Sequence, residues 1–263
     1  MIFRNILLLL LLAIMAVSCS TLEEGWKDTV DVAYDVHGFV NPDPQVDFDR
    51  YQFDNPNQEK LARLMTPVDG PVKSLIRYVS DRDSYPDQKW TDLLFLRYPW
   101  IHNLIIVDPE GWMLDRFPEE PLKRIDHPLI YEAVWRETFL QTVVDYPELG
   151  PELYVGTPMF KNADFAGLIL VSFDPRTLFS FCPEPEELII IQPGGGVWSM
   201  DESVDKDALK ALDWNEMLED DVTGDVMAGD TKYTWIVRYV GRDPYVYATK
   251  SADPERDNGW LPF

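Results

Sequence analysis

The sequence predicts an α+β chain of two similar antiparallel units placed behind a helical lead-in. Three observations carry this. Apolar residues recur with helical period from about Asn57 to Tyr98. Two short hydrophobic strands, each running into a turn with proline and glycine, stand 84 positions apart. Each is followed by the same order of elements, one helical stretch and then three strands.

Residues 1–19 read as an export signal. Arg4 is the only charge, and an apolar run from Ile6 to Val17 precedes Ser18 and Cys19. A run of about 12 residues suits the h-region of a signal peptide. A transmembrane span needs roughly 20. Ala16-Val17-Ser18-Cys19 resembles the lipobox of bacterial lipoproteins, although leucine is commoner where Ala16 stands. The resemblance implies that Cys19 becomes the N-terminus and carries lipid chains such as palmitate. Several acyl chains hold a membrane far better than one. Ser20, where aspartate would mark inner-membrane retention, favours the outer membrane and a periplasm-facing location in the cell envelope. An ordinary secretory signal with an incidental cysteine is the alternative.

Residues 20–56 are acidic, carry Asn41-Pro42-Asp43-Pro44, and read as a tether. Leu61, Leu64 and Met65 then open a helical pattern. It resumes after Pro67 and Gly70 with Val72, Leu75, Ile76 and Val79. A third helical segment carries Trp90, Leu93 and Leu94 and ends before Pro99.

Ile101–Val107, the turn Asp108-Pro109-Glu110-Gly111 and Trp112-Met113-Leu114 make a strand pair. A mostly helical stretch is expected over about 120–138. Strands are expected at Leu140–Val144, Leu153–Phe160 and Phe165–Phe173, with Asn162-Ala163-Asp164 turning between the last two. The order recurs with Glu187–Pro193, the turn Gly194-Gly195-Gly196, and Val197-Trp198. A helical stretch over 204–218 and strands at Val222–Met227, Tyr233–Tyr239 and Tyr245–Thr249 follow, with Gly241–Pro244 as the last turn. Branched apolar runs suit buried strands. Proline and glycine then supply the dihedrals of a tight reversal.

The long lead-in, the strand ending in Asp-x-x-Gly, and the closing Gly167-Leu168-Ile169-Leu170-Val171-Ser172-Phe173-Asp174 resemble the Cache family of extracytoplasmic PAS-like sensor domains. The resemblance implies tandem PAS-like (Cache) units: a helical lead-in and first unit over 57–182, a second, smaller unit over 183–250, and a tail over 251–263. It also implies small-molecule binding in the first unit. In amino-acid-binding members an Arg-x-Trp-Tyr-like element takes the ligand carboxylate, and an aspartate ending the last strand takes the ammonium. Asp174 stands where that aspartate would. Near the other element stands His127-Pro128-Leu129-Ile130-Tyr131, with Tyr131 but without the arginine and tryptophan, which puts an amino-acid ligand in doubt. Asp174 also precedes Pro175 as a helix N-cap would, and the two roles are compatible. Tyr131 and Trp135 suit a core as well as a pocket. Arg116 and Tyr154 complete the candidate binding residues.

Composition and motifs bound the rest. The formal charge is −23, and losing Arg4 with the signal makes it more negative. Such a surface argues against nucleic-acid partners and against a basic membrane patch, leaving the lipid anchor to hold the membrane. Cys182 is the only other cysteine, so no internal disulfide is expected. His37, His102 and His127 lack metal spacing. Gly194-Gly195-Gly196 lacks the Lys-Ser/Thr of a phosphate loop, and Asp201, Asp205 and Asp207 lack an EF-hand glycine. No cofactor, metal or catalytic set is expected. The expected role is a lipid-anchored, non-enzymatic, small-molecule-binding sensor-type protein. The alternative is an envelope interaction or assembly lipoprotein with filled PAS-like units and a protein partner.

Overall fold

The structure is a computed structural model and describes residues 55–82, 84–123, 138–143 and 149–252. The signal with Cys19, nearly all of the tether, most of the helix expected over 120–138 with His127, Tyr131 and Trp135, and most of the tail lie outside the described residues. So does His37.

Helix α1 spans Pro56–Ser80. Asn55 caps it by accepting from the Asn57 N–H at 2.9 Å, and Pro56 fits the first turn, where its missing donor costs nothing. The sequence suggests two segments flanking Pro67 and Gly70, but the helix is continuous through Pro67 and Pro71. Each proline removes one rung of the hydrogen-bond ladder. Continuity survives because Leu61, Met65, Val68, Val72, Leu75 and Val79 form one buried stripe whose register is unbroken across both prolines. Helix α2, Gln88–Arg97, is capped by Asp87, which accepts from Trp90 N–H at 2.8 Å.

Ten strands follow. The first sheet contains β1 (Asn103–Val107), β2 (Met113–Phe117), β3 (Phe139–Val143), β4 (Glu152–Lys161) and β5 (Asp164–Phe173). Its order is β2-β1-β5-β4-β3. A 3-10 helix, Pro175–Phe181, leads to the second sheet. That sheet contains β6 (Ile189–Gln192), β7 (Gly196–Ser199), β8 (Thr223–Ala228), β9 (Thr231–Val240) and β10 (Asp243–Lys250), in the order β7-β6-β10-β9-β8. Both sheets are antiparallel throughout. The two orders are the same permutation, so the repeat seen in the hairpins is a repeat of topology. The fold is α+β, with tandem PAS-like units behind a helix.

Small differences from expectation have local causes. The β4–β5 turn is Asn162-Ala163, both at positive φ, and Asp164 and Asp243-Pro244 already belong to strands. The stretch 204–218 forms two helices, α3 (Lys206–Lys210) and α4 (Trp214–Asp220). Asp213 divides them by capping α4 through the Glu216 N–H at 3.2 Å, while the Trp214 indole donates back to Leu209 O at 2.9 Å.

The stripe of α1 packs against one face of both sheets, meeting Leu104, Ile106, Val155, Ile169 and Val171 from the first and Ile190, Tyr245 and Tyr247 from the second. The opposite face of the second sheet is covered by Val204, Leu209 and Trp214. The opposite face of the first sheet, its outer face, carries Ile105, Val107, Tyr154, Leu168 and Leu170. Burial on both faces explains why β1 reads as an unbroken apolar run rather than an alternation. The units also join along β3, where the Leu140 N–H donates to Asp243 Oδ2 at 2.7 Å and Thr142 meets Gln192. At the start of α1, the Ala252 N–H donates to Asn57 Oδ1 at 2.9 Å, and Lys60 pairs with Glu187 at 2.6 Å.

Gly167 tests the register of the first sheet. Its φ is +127°, and a Cβ there would stand 2.0 Å from the Val107 carbonyl oxygen. Gly167→Ala should cost at least about 2 kcal/mol through strain and displacement of β1. Urea unfolding checks this, and a midpoint equal to the parent's would refute the close approach.

Candidate functional site

Residues directly opposite in antiparallel strands share a face. Arg116 of β2 pairs with Ile105, Ile105 with Leu170, and Leu170 with Gly156. One step along the strands, Asn103 pairs with Ser172 and Ser172 with Tyr154. Arg116 and Tyr154 therefore lie on the outer face of the first sheet. Asp174, two residues beyond Ser172, continues the same alternation. Three of the four candidate binding residues thus share one face, and Tyr131 lies outside the described residues.

At the end of this face sits a buried charge cluster built around a residue the sequence does not advertise. The Lys123 ammonium donates to Pro151 O at 2.8 Å and Asp174 Oδ2 at 3.0 Å, and pairs with Glu152 Oε2 at 3.0 Å. Its side chain is 7% exposed. An ammonium has three donors, and each here has an acceptor. Glu152 is also engaged by Ser172 Oγ–H at 2.9 Å and by His102 Nδ1 at 3.0 Å. Because the single Ser172 proton goes to Glu152, Ser172 Oγ accepts from Asn103 Nδ2 at 2.9 Å. This orients the Asn103 amide and leaves its Oδ1 buried with no hydrogen-bond partner. Arg116 Nε is likewise buried without one, while its Nη2 approaches Met113 Sδ at 3.0 Å.

Asp174 holds the cluster to the next element. Its Oδ1 accepts from the Arg176 backbone N–H and Nε, both at 2.9 Å, so it caps the 3-10 helix. Burial alone would raise its pKa. The hydrogen bonds from Arg176, and the Lys123 ammonium, outweigh burial and hold the carboxyl below the ordinary carboxylate range. The cap and the charge contact therefore coexist at one residue, but the ammonium that Asp174 meets belongs to Lys123.

Sequence reasoning missed Lys123, Glu152, Asn103 and Ser172. The alternation Ser172-Phe173-Asp174 carried a readable signal, since period 2 puts both polar residues on one face. Lys123 follows β2 in a stretch without periodicity, and nothing local marks it.

Other candidates separate in the fold. Cys182 is buried in the core beside α1, where burial pushes its thiol pKa up. Asp201 is bonded by Lys250 and Ser203, which lower its pKa to about 2. Asp205 caps α3. Among the described residues no group of three or more His, Cys, Asp or Glu is placed to hold a metal ion, and no helix is long and apolar enough to cross a membrane. A cleft of about 270 Å³ lies between the units, lined by Thr142, Pro151, Gly195, Trp198, Lys206 and Lys210.

No family model matches the sequence, and no curated protein matches it. Solved structures do. An extracellular ligand binding receptor from Desulfohalobium retbaense aligns at a TM-score of 0.57 and 14% identity, over 76% of this chain and 41% of that one. This chain thus spans well under half of that receptor. The ligand-binding domain of the Pseudomonas aeruginosa amino-acid chemoreceptor PctC, in complex with GABA, aligns at 0.46 and 10% identity, over 75% of this chain and 96% of that one. The sensory domain of the Campylobacter jejuni chemoreceptor Tlp3 aligns at 0.41 and 12% identity, over 74% and 95%. At 14% identity the likeness to the receptor is one of fold alone.

Removing Lys123 leaves the buried Glu152 without its ammonium, beside an Asp174 that keeps only Arg176. Lys123→Met should cost about 3–5 kcal/mol at neutral pH, read by denaturant titration. The depressed pKa of Asp174 also sets a direction with pH. Its contribution is fully present above the unfolded carboxylate pKa of about 3.9. It is lost as pH falls through the lower folded value. Asp174→Asn should therefore flatten the acid limb of the stability profile, and an unchanged limb would dismiss this assignment.

Proposed function

We propose that this chain is an extracytoplasmic, lipid-anchored, non-catalytic protein of the sensor type, which binds a small molecule on the outer face of its first sheet. One observation carries the reading. Arg116, Tyr154 and Asp174 share that face, and beside them Asn103 Oδ1 and Arg116 Nε are buried without partners. A buried polar group left unpaired costs about 1–3 kcal/mol, and a ligand that supplies the missing donor and acceptor recovers it. Tyr131 is proposed as a further contact. The similarity of fold to a protein described as an extracellular ligand binding receptor supports the same class. The lipobox-like Ala16-Val17-Ser18-Cys19 supports the anchor, and Ser20 favours the outer membrane.

A specific observation favours a second reading. Lys123 already satisfies both carboxylates of the cluster, as expected of a filled unit in an envelope assembly protein. Crosslinking in membranes followed by purification separates the two, because only assembly needs a stoichiometric protein partner.

Thermal-shift screening of the full chain in detergent against small acids, amines and amino acids tests ligand binding. At least one compound should raise Tm saturably, and Arg116→Gln should abolish that rise. Silence across the panel would count against the reading. For the anchor, metabolic labelling with radioactive palmitate should mark the parent but not Cys19→Ser. An unlabelled parent would remove the anchor from the proposal.

A further inference from the structure

The outer face of the first sheet has an acid end and a basic end, and they differ in what remains available. At the acid end every acceptor is in use. Glu152 Oε1 takes Ser172 and His102, and its Oε2 takes Lys123. Asp174 Oδ1 takes the Arg176 backbone and side chain, and its Oδ2 takes Lys123 and Arg176. Pro151 O takes Lys123. An incoming ammonium would find three acceptors at hydrogen-bond distance already wrapped around an ammonium that the chain itself supplies. The groups left open are different in kind: Arg116 Nε is a cationic donor and Asn103 Oδ1 is a neutral acceptor. Asn103 is 1% exposed, and its amide is oriented by Ser172. The two side chains sit on neighbouring strands, because Arg116 pairs with Ile105, two positions from Asn103 on the same face.

We propose that Lys123 permanently occupies the ammonium position of this face, and that the face therefore takes a small carboxylate carrying a hydroxyl donor in place of an amine. The ligand carboxylate meets Arg116, as a guanidinium prefers, and the hydroxyl donates to Asn103 Oδ1. Ile105 and Leu170 between them supply an apolar floor. The inference rests on the reading that this face binds a ligand, and adds the class. Specificity here is negative as well as positive, since a ligand ammonium would find one open neutral acceptor, Asn103 Oδ1, for its three donors, and no open carboxylate to balance its charge, whereas a hydroxyl needs only that one acceptor.

Matched pairs test the class. Lactate against alanine, malate against aspartate, and 2-hydroxyisocaproate against leucine are titrated calorimetrically into the full chain. A hydroxy acid should bind at least about a hundredfold more tightly than its amino counterpart, and Arg116→Gln should erase that binding. In Lys123→Ala, methylammonium or ethylammonium should restore the lost Tm saturably while leaving the parent unmoved. Amino acids binding the parent as tightly as hydroxy acids would overturn the assigned class while leaving ligand binding intact. Hydroxy-acid binding indifferent to Arg116→Gln would overturn the assigned contact. No binding by either class would overturn this inference together with the reading beneath it. Should Lys123→Ala fail to fold, the comparison of pairs on the parent protein decides alone.

Discussion

The continuous apolar stripe of α1 is the contact on which both sheets depend. A helix of 25 residues is roughly 37 Å long, enough to lie across two five-stranded sheets, and its buried residues meet both. Two internal prolines would ordinarily break such a helix. Here the lost rungs are outweighed by a stripe that keeps one register from Leu61 to Val79. Polar contacts then fix the helix along its length. Asp69, buried on α1, pairs with Lys73 and with Arg238 of β9, and Lys60 reaches Glu187 just before β6. Non-directional packing decides that the helix lies there, and the contacts to Arg238 and Glu187 mark its register against the second sheet.

The Lys123 cluster represents a different use of charge. Exposed ion pairs contribute little, and buried ones can usually be replaced by apolar residues without loss. What the cluster provides is placement: one ammonium ties the start of β4, the end of β5 and the segment after β2 to a single point. Its two carboxylates face two firm cations, Lys123 and Arg176. A chain of net charge −23 thus contains a locally balanced interior, and its acidity resides elsewhere.

Much of the fold was legible in the sequence because β1 and β6, which open the two sheets, are buried on both faces. Leu104–Val107 and Leu188–Ile191 are branched runs too short for helices, and their turns carry proline and glycine where a reversal needs them. The repeated order of elements followed, and the two sheets share one topology. The continuity of α1 was not legible, because proline is a local signal and the stripe that overrides it is a tertiary one. The division at Asp213 was missed for the opposite reason, as a local cap interrupts a pattern that periodicity alone carries through. At the candidate site, the end of β5 marked Asp174 and an expected strand held Tyr154, but the strand expected at Trp112–Leu114 stopped short of Arg116, which lies in β2. Lys123 could not be read, since its partner Asp174 lies 51 residues away and long-range pairing leaves no local trace.

The hydrogen bonds between Asn57 and Ala252 bear on how this body responds to mechanical load. They place the start of α1 beside the end of β10. A pull applied at Asn55 and Ala252, the two ends of the described body, would meet this side-chain clasp and the Lys60–Glu187 pair first. The clasp would yield before any strand could be peeled away. Until then tension would bypass the outer face of the first sheet, insulating its geometry from forces transmitted along the chain.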